Sequence, residues 1–175
     1  MITIRRANFK DAKDYAIILN TSWKDTYGSY ISYKHINKEF NIDDLIKGFK
    51  QHLNDLHLEL YMIEYDEKVV GIVELGKPDI DDVYKNDMDG IGELRSFYIM
   101  KDYHNLGIGS KVEAFACKRL KELGYKICCI WVKKQNHNAI KFYKNRGFIK
   151  TQYTCEETSD GAPSFVMEKD LESVK

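Results

Sequence analysis

The chain has 175 residues, a length that suits one domain with a sizeable core, so we expect a single domain over residues 1–175. Its 27 basic and 27 acidic residues balance, which gives no electrostatic reason to expect nucleic acid as a partner. There is neither a signal-peptide core nor an apolar run long enough to cross a bilayer, so we expect a cytoplasmic protein with no membrane partner.

The first part of the chain predicts one strand, two helices and a pair of strands. A strand at Ile2–Arg6 precedes a helix that Asn8 can cap, with Asp11 three positions further on. Leu58–Tyr65 and residues 69–75 flank a short polar turn, which indicates a β-hairpin. Each helix has apolar residues at the spacing of one face: Ala12, Tyr15, Ala16, Leu19 and Trp23 in the first, and Ile42, Leu45, Ile46, Phe49 and Leu53 in the second.

Residues 93–124 combine a strand, a glycine turn and a helix. Residues 93–100 are apolar and aromatic, as a buried strand would be, and the turn that follows ends in Gly107 and Gly109. The helix ends at Gly124, which can serve as its C′ residue. The residues that share its apolar face are Ile108, Val112, Phe115, Ala116, Leu120 and Leu123.

This order of elements favours an anion site at the start of the helix. The first amides of a helix have no internal partner, and the helix dipole places partial positive charge there. Gly107 and Gly109 lack a Cβ, so a phosphate or pyrophosphate can approach the backbone, while Ser110 adds a hydroxyl and Lys111 a charge.

Two known phosphate-binding motifs do not match this turn. The dinucleotide fingerprint would need a third glycine where Val112 stands, and the Walker motif would need a lysine directly after a glycine. The alternative is a glycine turn that only connects a strand to a helix.

The last part of the chain predicts a crossover and two further strands. Residues 127–132 read as a buried strand, so the strand–helix–strand order predicts a right-handed connection between parallel strands. Asn136 can cap a short helix that Gly147 can end, and strands at residues 148–154 and Ser164–Asp170 flank a polar excursion. The whole order is β, α, α, β, β, β, α, β, α, β, β, which predicts a mixed sheet flanked by helices.

The four cysteines stand at positions 117, 128, 129 and 155 and include no Cys-x-x-Cys pair. We therefore expect reduced thiols that serve mostly as small core residues, and no metal site.

Two motifs follow one another along the chain with a strand between them. The first runs from Glu93 through the glycine turn to Ser110, and the second reads Asn136-x-x-Ala139-x-x-Phe142-Tyr143-x-x-x-Gly147-Phe148. Together they resemble the GNAT superfamily of N-acetyltransferases, and the resemblance spans nearly the whole chain. The segment Ser22-Trp23-x-x-Thr26-Tyr27 is similar to that of the small-substrate bacterial members.

The resemblance implies a fold, a reaction and a set of binding residues. The implied fold class is α/β, here a mixed α+β arrangement. It has a central mixed, mostly antiparallel twisted sheet of about seven strands, flanked by about four helices. The reaction is direct transfer of an acetyl group from acetyl-CoA, as co-substrate, to a primary amine. The residues implied to bind acetyl-CoA are Phe97, Tyr98, Ile99 and Asn136 for the pantetheine arm, His104, Asn105, Leu106, Gly107, Ile108, Gly109 and Ser110 for the pyrophosphate, and Tyr143 near the sulfur.

The chemistry of the reaction suggests roles for two of the motif residues. An alkyl amine with a pKa of about 10.4 is protonated at neutral pH, so a base must remove a proton before the nitrogen can attack. The resemblance implies Glu93 as that base, directly or through water; the alternative is that Glu93 only pairs with a nearby cation, and Glu59, Glu64 and Glu74 compete for the role. Tyr143 can protonate the departing CoA thiolate as a general acid, with a purely packing role as its alternative.

The acceptor pocket implied by the resemblance involves Trp23, Tyr27, Tyr30 and the loop of residues 76–90. That loop holds five aspartates, which favour a small cationic amine such as a polyamine. A protein N-terminus or a lysine side chain is the alternative acceptor, and a non-catalytic acyl-CoA sensor is the alternative function. Members of the family often form homodimers, which makes a homodimer an expected assembly, although no segment of the sequence indicates one.

One position departs from the family pattern. His104 stands three residues before the first glycine of the turn, where the family usually has Gln or Arg. An imidazole lacks the permanent charge of a guanidinium, so we expect weaker or pH-dependent binding of acetyl-CoA.

Overall fold

The structure, a computed structural model, describes residues 1–78, 90–156, 158 and 160–172. These residues form seven strands: β1 (Ile2–Arg6), β2 (Leu58–Tyr65), β3 (Lys68–Gly76), β4 (Ile91–Ile99), β5 (Ile127–Lys133), β6 (Ile149–Cys155) and β7 (Ser164–Asp170). They also form five α-helices: α1 (Ala12–Tyr27), α2 (Tyr33–Glu39), α3 (Ile42–His52), α4 (Ile108–Glu122) and α5 (His137–Lys144). Within the described ranges, none of these helices combines the length and the apolar character needed to cross a membrane.

The strands lie in one sheet in the order β1-β2-β3-β4-β5-β7-β6. β4 and β5 are parallel, and their register runs from Ile91 opposite Ile127 to Glu93 opposite Cys129. The pairs β1 with β2, β5 with β7, and β6 with β7 are antiparallel. A mixed, mostly antiparallel sheet and a parallel crossover through α4 are therefore confirmed.

The structure differs from the sequence analysis in two details of the helices. The predicted fold, with about four helices, is confirmed with five, and the one that the sequence did not indicate is α2: it begins after Ser32, whose hydroxyl accepts the amide of His35, and it buries Ile36. Its seven residues are too few for an apolar face to repeat, so its periodicity carries little signal. Leu123 was expected on the buried face of α4, yet α4 ends at Glu122 and Leu123 is 41% exposed. The chain leaves the helix there through Gly124, whose φ is +94°.

The chain divides into two compact units, of which the first comprises Met1–Leu75 and Ser96–Phe115. Its core packs α1 and α3 against residues of β2 and β3, and the rings of Tyr15 and Phe49 lie 4.7 Å apart. At the entrance to α1, Asn8 and Asp11 form the capping box that the sequence predicted. The buried residues of this core are Ala7, Ala12, Tyr15, Ile18, Leu19, Phe49, Leu58, Leu60, Met62 and Ile72.

The second unit comprises Gly76–Arg95 and Ala116–Lys175, as far as these residues are described. A small core of Ile91, Cys129 and Val166 joins β4, β5 and β7. At the end of β5, Lys133 Nζ lies 2.6 Å from a carboxylate oxygen of Asp160 and ties the β6–β7 connection to the sheet. A single domain over residues 1–175 stays a prediction.

All four cysteines are free thiols, as the sequence predicted. Cys117, Cys128 and Cys129 are buried, whereas Cys155, at the end of β6, is partly exposed. Three of the four therefore serve as small core residues.

Candidate active site

The glycine turn of the first unit presents an open helix N-terminus. Asn105 and Gly107 have φ values of +62° and +76°, which let the chain turn back into α4. Gly107 is exposed, and a Cβ built on it would meet no atom within 4 Å. Because Lys111 is the first residue to donate back, to Gly107 O at 3.3 Å, the amides of Ile108, Gly109 and Ser110 precede the helical ladder. The residues present therefore fit a large anion such as a pyrophosphate.

Two side chains beside the turn have partners of their own. His104 Nε2 lies 2.8 Å from the carbonyl oxygen of Ile99, which ties the exposed imidazole to the end of β4. Lys111 Nζ donates to the carbonyl oxygen of Ile2 at 2.8 Å, so its ammonium anchors α4 to β1. The charge of Lys111 thus stabilises the packing of the helix that carries the turn.

The C-terminal half of β4 is partly exposed, although β4 is the central strand of the sheet. Phe97, Tyr98 and Ile99 all fall in this half, beyond the register shared with β5. On the β3 side, a Cβ on Gly71 would lie 2.6 Å from the carbonyl oxygen of Tyr98. Gly71 therefore lets β3 pack closely against β4; a lone glycine in an apolar strand was the available signal for it.

In the second unit, Glu93 and Tyr143 are both buried. Glu93 Oε2 lies 3.7 Å from Arg95 Nε, so the ion-pair role that the sequence left open as an alternative is present. The Tyr143 ring on α5 lies 5.2 Å from both the Phe142 and the Phe148 rings, which hold it in place. Asn136 caps this helix as predicted, with Oδ1 accepting the amide of Ala139 at 3.1 Å.

The three aromatic residues predicted to contact the acceptor meet in the first unit. Trp23 lies 4.6 Å from Tyr27 and stacks on Phe40 at 3.9 Å, and Tyr27 lies 5.9 Å from Tyr30. We call these four residues the aromatic cluster. The five aspartates of the loop predicted over residues 76–90 lie outside the described residues.

A polar network in the first unit is centred on Glu74 of β3, which is only 2% exposed. Its Oε1 accepts the Tyr15 hydroxyl at 2.9 Å and lies 3.0 Å from His52 Nδ1, and Ser96 of β4 also bonds to it. Burial alone would raise the pKa of Glu74, but the bonds from His52, Ser96 and Tyr15 outweigh it and hold the pKa below its ordinary value. We call this set of four residues the Glu74 network.

The sequence named Glu74 as a competing base but missed its partners. Glu74 could be found in the sequence because it is a carboxylate at an inward position of an apolar strand. His52 is 22 residues away in the sequence, and only the packing of the fold brings it to Glu74. The other two competitors take part in ion pairs: Glu59 with Arg6 at 3.1 Å, and Glu64 with Arg5 at 2.6 Å.

Comparison with known proteins decides the family. A model of the acetyltransferase (GNAT) family matches residues 18–148. The chain belongs to the GNAT family. This GNAT protein is therefore an N-acetyltransferase that uses acetyl-CoA as co-substrate, and the open turn before α4 fits the anionic part of that molecule.

Relatives of this GNAT protein span nearly its whole length. It is 23% identical, over 97% of its own chain and 98% of the relative, to an uncharacterized N-acetyltransferase in the pepI 3′ region of Lactobacillus delbrueckii subsp. lactis. Among solved structures, the PaiA N-acetyltransferase of Thermoplasma acidophilum, in complex with coenzyme A, superposes with a TM-score of 0.75 at 22% identity, covering 97% of this chain and 99% of that one. A spermidine N-acetyltransferase of Vibrio cholerae superposes with a TM-score of 0.72 at 17% identity, covering 99% and 95%. At these identities the solved structures show a shared fold.

Proposed function

We propose that this GNAT enzyme acetylates a primary amine of a small cationic molecule, with polyamines as the first class to test. The observation that carries the proposal is the aromatic cluster, in which Trp23 and Tyr30 are partly exposed and held by their neighbours. An ammonium group over an aromatic face gains about 0.5–2 kcal/mol, most over tryptophan. A spermidine acetyltransferase shares the fold, so the fold accommodates such an acceptor.

In this proposal the two motifs bind the donor. Residues His104 to Ser110 hold the pyrophosphate through backbone amides at the start of α4, and Phe97, Tyr98 and Ile99 pair with the pantetheine arm as an added strand would. Asn136 contacts the same arm. Acetyl-CoA, when bound, supplies the acetyl group as a thioester.

Glu93 then acts as the general base and Tyr143 as the general acid. The amine nitrogen forms a bond to the acyl carbon, and the carbon–sulfur bond breaks. Before the attack, the Glu93 carboxylate removes a proton from the ammonium group, directly or through water. The Tyr143 hydroxyl gives its proton to the departing thiolate as general acid, the nitrogen loses its second proton to solvent as the amide forms, and Tyr143 recovers a proton from solvent. No covalent enzyme intermediate is required when both substrates are bound together.

The test is a thiol-release assay with acetyl-CoA and a panel of acceptors. Spermidine, simple diamines, amino acids and short peptides are compared, and acetyl-CoA binding is measured separately by calorimetry. We expect release with the cationic amines, and a loss of about 10²-fold in kcat for Tyr143→Phe without a change in acetyl-CoA affinity. The Phe142 and Phe148 contacts survive that substitution, because only a hydroxyl is removed.

Tyr33→Phe is the matched control, because Tyr33 is an exposed tyrosine of α2 and should leave kcat unchanged. Trp23→Leu should raise KM for cationic amines while leaving acetyl-CoA binding intact. Release with peptides alone would replace the proposal with a protein acceptor. Acetyl-CoA binding without release for any amine would favour the sensor.

A further inference from the structure

Two residues of β4, Glu93 and Arg95, form an ion pair beside a small apolar core. Ile91 and Glu93 stand two residues apart in the part of β4 that pairs with β5, so they project to the same face of the sheet. Ile91 packs there with Cys129 of β5 and Val166 of β7, and neither of these partners is exposed to solvent. The carboxylate of Glu93 therefore lies in an apolar part of the second unit, to which all of these residues belong.

The charges of Glu93 and Arg95 meet at an ion-pair distance. Glu93 Oε2 lies 3.7 Å from Arg95 Nε, which is too long for a hydrogen bond but short enough for the charges to attract one another. The side chain of Glu93 is 6% exposed and that of Arg95 is 20% exposed. Because the pair is shielded from water, its attraction is screened less than that of a surface ion pair.

The position of the pair in the sheet connects it with the proposed base. The parallel register of β4 and β5 ends at Glu93, opposite Cys129, and Arg95 follows beyond it. An ion pair in an apolar setting contributes little net stability, because the removal of two charges from water offsets most of their attraction. Two apolar side chains would serve the fold equally well, so the pair calls for a role in the reaction.

We infer that Arg95 is the positioning residue of the base: it restrains the Glu93 carboxylate for proton transfer and returns it to the ionised form after each turnover. The inference rests on the proposed function, in which Glu93 removes a proton from the ammonium group of the acceptor. The ion pair and the base, which the sequence presented as alternatives, then belong to the same mechanism.

The proton cycle of the base explains why a cation stands beside it. When the Glu93 carboxylate takes a proton from the ammonium group, it becomes a neutral acid and no longer attracts Arg95 as an ion does. A nearby positive charge favours the ionised form of a carboxyl group, so the acid gives its proton to water and the ion pair forms again. One proton enters and one leaves the carboxyl group in each turnover, and no further reactant is required.

An arginine suits this position better than a lysine. The guanidinium of Arg95 keeps its protons, so it neither takes up nor supplies the proton that Glu93 carries. A lysine changes its pKa readily when it is buried and would compete for that proton. Because a neighbouring cation also lowers the basicity of a carboxylate, the benefit comes from the orientation of Glu93 and from the recovery of its ionised form.

Other titratable groups on the strands around Glu93 lie further from its carboxylate. Cys129 stands opposite it in the register of β5, and Glu168 of β7 stands opposite Cys129, two strand spacings or about 9.5 Å from Glu93. Tyr153 of β6 packs against the same small core. Since the contact with Arg95 measures 3.7 Å, we expect Arg95 to have the larger influence on proton transfer at Glu93.

The test is a double-mutant cycle on kcat that combines Arg95→Met with Glu93→Gln. Methionine is unbranched and apolar, so it can pack beside the small core without a charge. With Glu93 intact, we expect Arg95→Met to lower kcat about tenfold at pH 7 and to leave the affinity for acetyl-CoA unchanged. In the Glu93→Gln background it should lower kcat by at most about twofold, because a residue that acts through Glu93 has no effect once the carboxylate is gone.

The pH profile of kcat gives a readout that a packing role would not change. Loss of the neighbouring cation favours the protonated acid, so the acid limb of kcat should move to higher pH in Arg95→Met by about one unit. Arg95→Lys keeps a charge, so its limb should stay in place while kcat falls about threefold through the altered geometry. Arg119→Met is the matched control: it removes an arginine of α4 that pairs with Glu122 at 3.1 Å, and it should match the wild type.

Two results would overturn the inference and leave the proposed function in place. The first is a fall in kcat for Arg95→Met by the same factor in both backgrounds with no shift of the acid limb, which gives Arg95 a structural role. The second is an inactive Glu93→Gln together with an Arg95→Met that matches the wild type. If Arg95→Met does not fold, the cycle with Arg95→Lys decides, because its loss should be confined to the background with Glu93 intact.

Two further results reach the proposed function itself. Activity of Glu93→Gln within about twofold of the wild type, with Tyr143→Phe inactive, removes Glu93 as the base and the inference with it, but leaves acetyl transfer to cationic amines. Absence of amine-dependent thiol release in the wild type removes the proposed function and the inference together.

Discussion

His104 is the residue at which this chain differs most clearly from the pattern of its family. Its imidazole is exposed at the turn and bonds to the carbonyl oxygen of Ile99. We expect His104→Arg to strengthen acetyl-CoA binding by about 3- to 10-fold and to make it less dependent on pH, because a guanidinium is permanently charged and an imidazole is not. Calorimetric dissociation constants at pH 6 and pH 8 measure both effects.

The control for His104→Arg is His35→Arg, which adds the same charge at an exposed position of α2. Equal gains in the two variants would mean that only the net charge of the protein matters. If neither the dissociation constant nor its pH dependence changes in His104→Arg, then His104 takes no part in binding the pyrophosphate.

At the scale of an element, the start of α4 contains two glycines with opposite conformational demands. Gly107 has a positive φ, so Gly107→Ala should lower the free energy of unfolding by about 1 kcal/mol through backbone strain alone, as the space around it is open. Gly109 lies within α4, where alanine is the better helix former by up to about 1 kcal/mol, so Gly109→Ala should not destabilise the fold. Denaturant unfolding measures both changes.

Both glycine variants should nevertheless weaken acetyl-CoA binding, because each places a Cβ where the pyrophosphate approaches the backbone. Gly109→Ala is therefore the more informative of the two, since its stability and its affinity should change independently. Unchanged affinity in Gly109→Ala would mean that the turn serves only as a connection.

The elements that the sequence predicted best are those in which pattern and turn chemistry agree. β1, β2 and β7 were placed at Ile2–Arg6, Leu58–Tyr65 and Ser164–Asp170. Asn136 caps α5 as predicted, and Asn8 caps the 3-10 turn Phe9–Asp11 that leads into α1. The helix α2 was missed because it buries one residue, Ile36, and a single contact has no period.

The candidate site, too, has a part that the sequence predicts and a part that it does not. The glycine turn, the β4 segment and the capped α5 are local motifs, so residues near in sequence define them. The Glu74 network joins four elements that only the tertiary fold brings together, and no spacing in the sequence encodes it.

At the scale of the whole molecule, three carboxylates make the free energy of unfolding depend on pH in the acid range. Hydrogen bonds from Arg5 lower the pKa of Asp11; burial would raise the pKa values of Glu74 and Asp160, but bonds from His52 and from Lys133, respectively, outweigh it and lower them. Each therefore contributes stability that is present above its ordinary pKa, about 4, and lost as pH falls through its lower folded value. We expect the free energy of unfolding, measured in urea, to fall steadily below about pH 4.

Asp11→Asn tests one part of that dependence. It removes the charge that meets Arg5 at 2.7 and 2.9 Å, and because Arg5 is one-third exposed we expect a loss on the order of 2 kcal/mol at pH 7, together with a shallower acid slope. Asp14→Asn, at an exposed position of α1, should change neither. An acid slope that is the same in Asp11→Asn and the wild type would remove this ion pair from the pH dependence.

The burial of the cysteines makes the thiol count of the protein a gauge of its folded state. We expect a folded chain to offer an aromatic disulfide reagent at most one sulfur, that of the partly exposed Cys155, whereas an unfolded chain offers all four. The colour that reports release of CoA should therefore start from a baseline of at most one equivalent per enzyme molecule. A variant whose baseline rises towards four has lost its core, so each assay reports both catalysis and the integrity of the molecule that performs it.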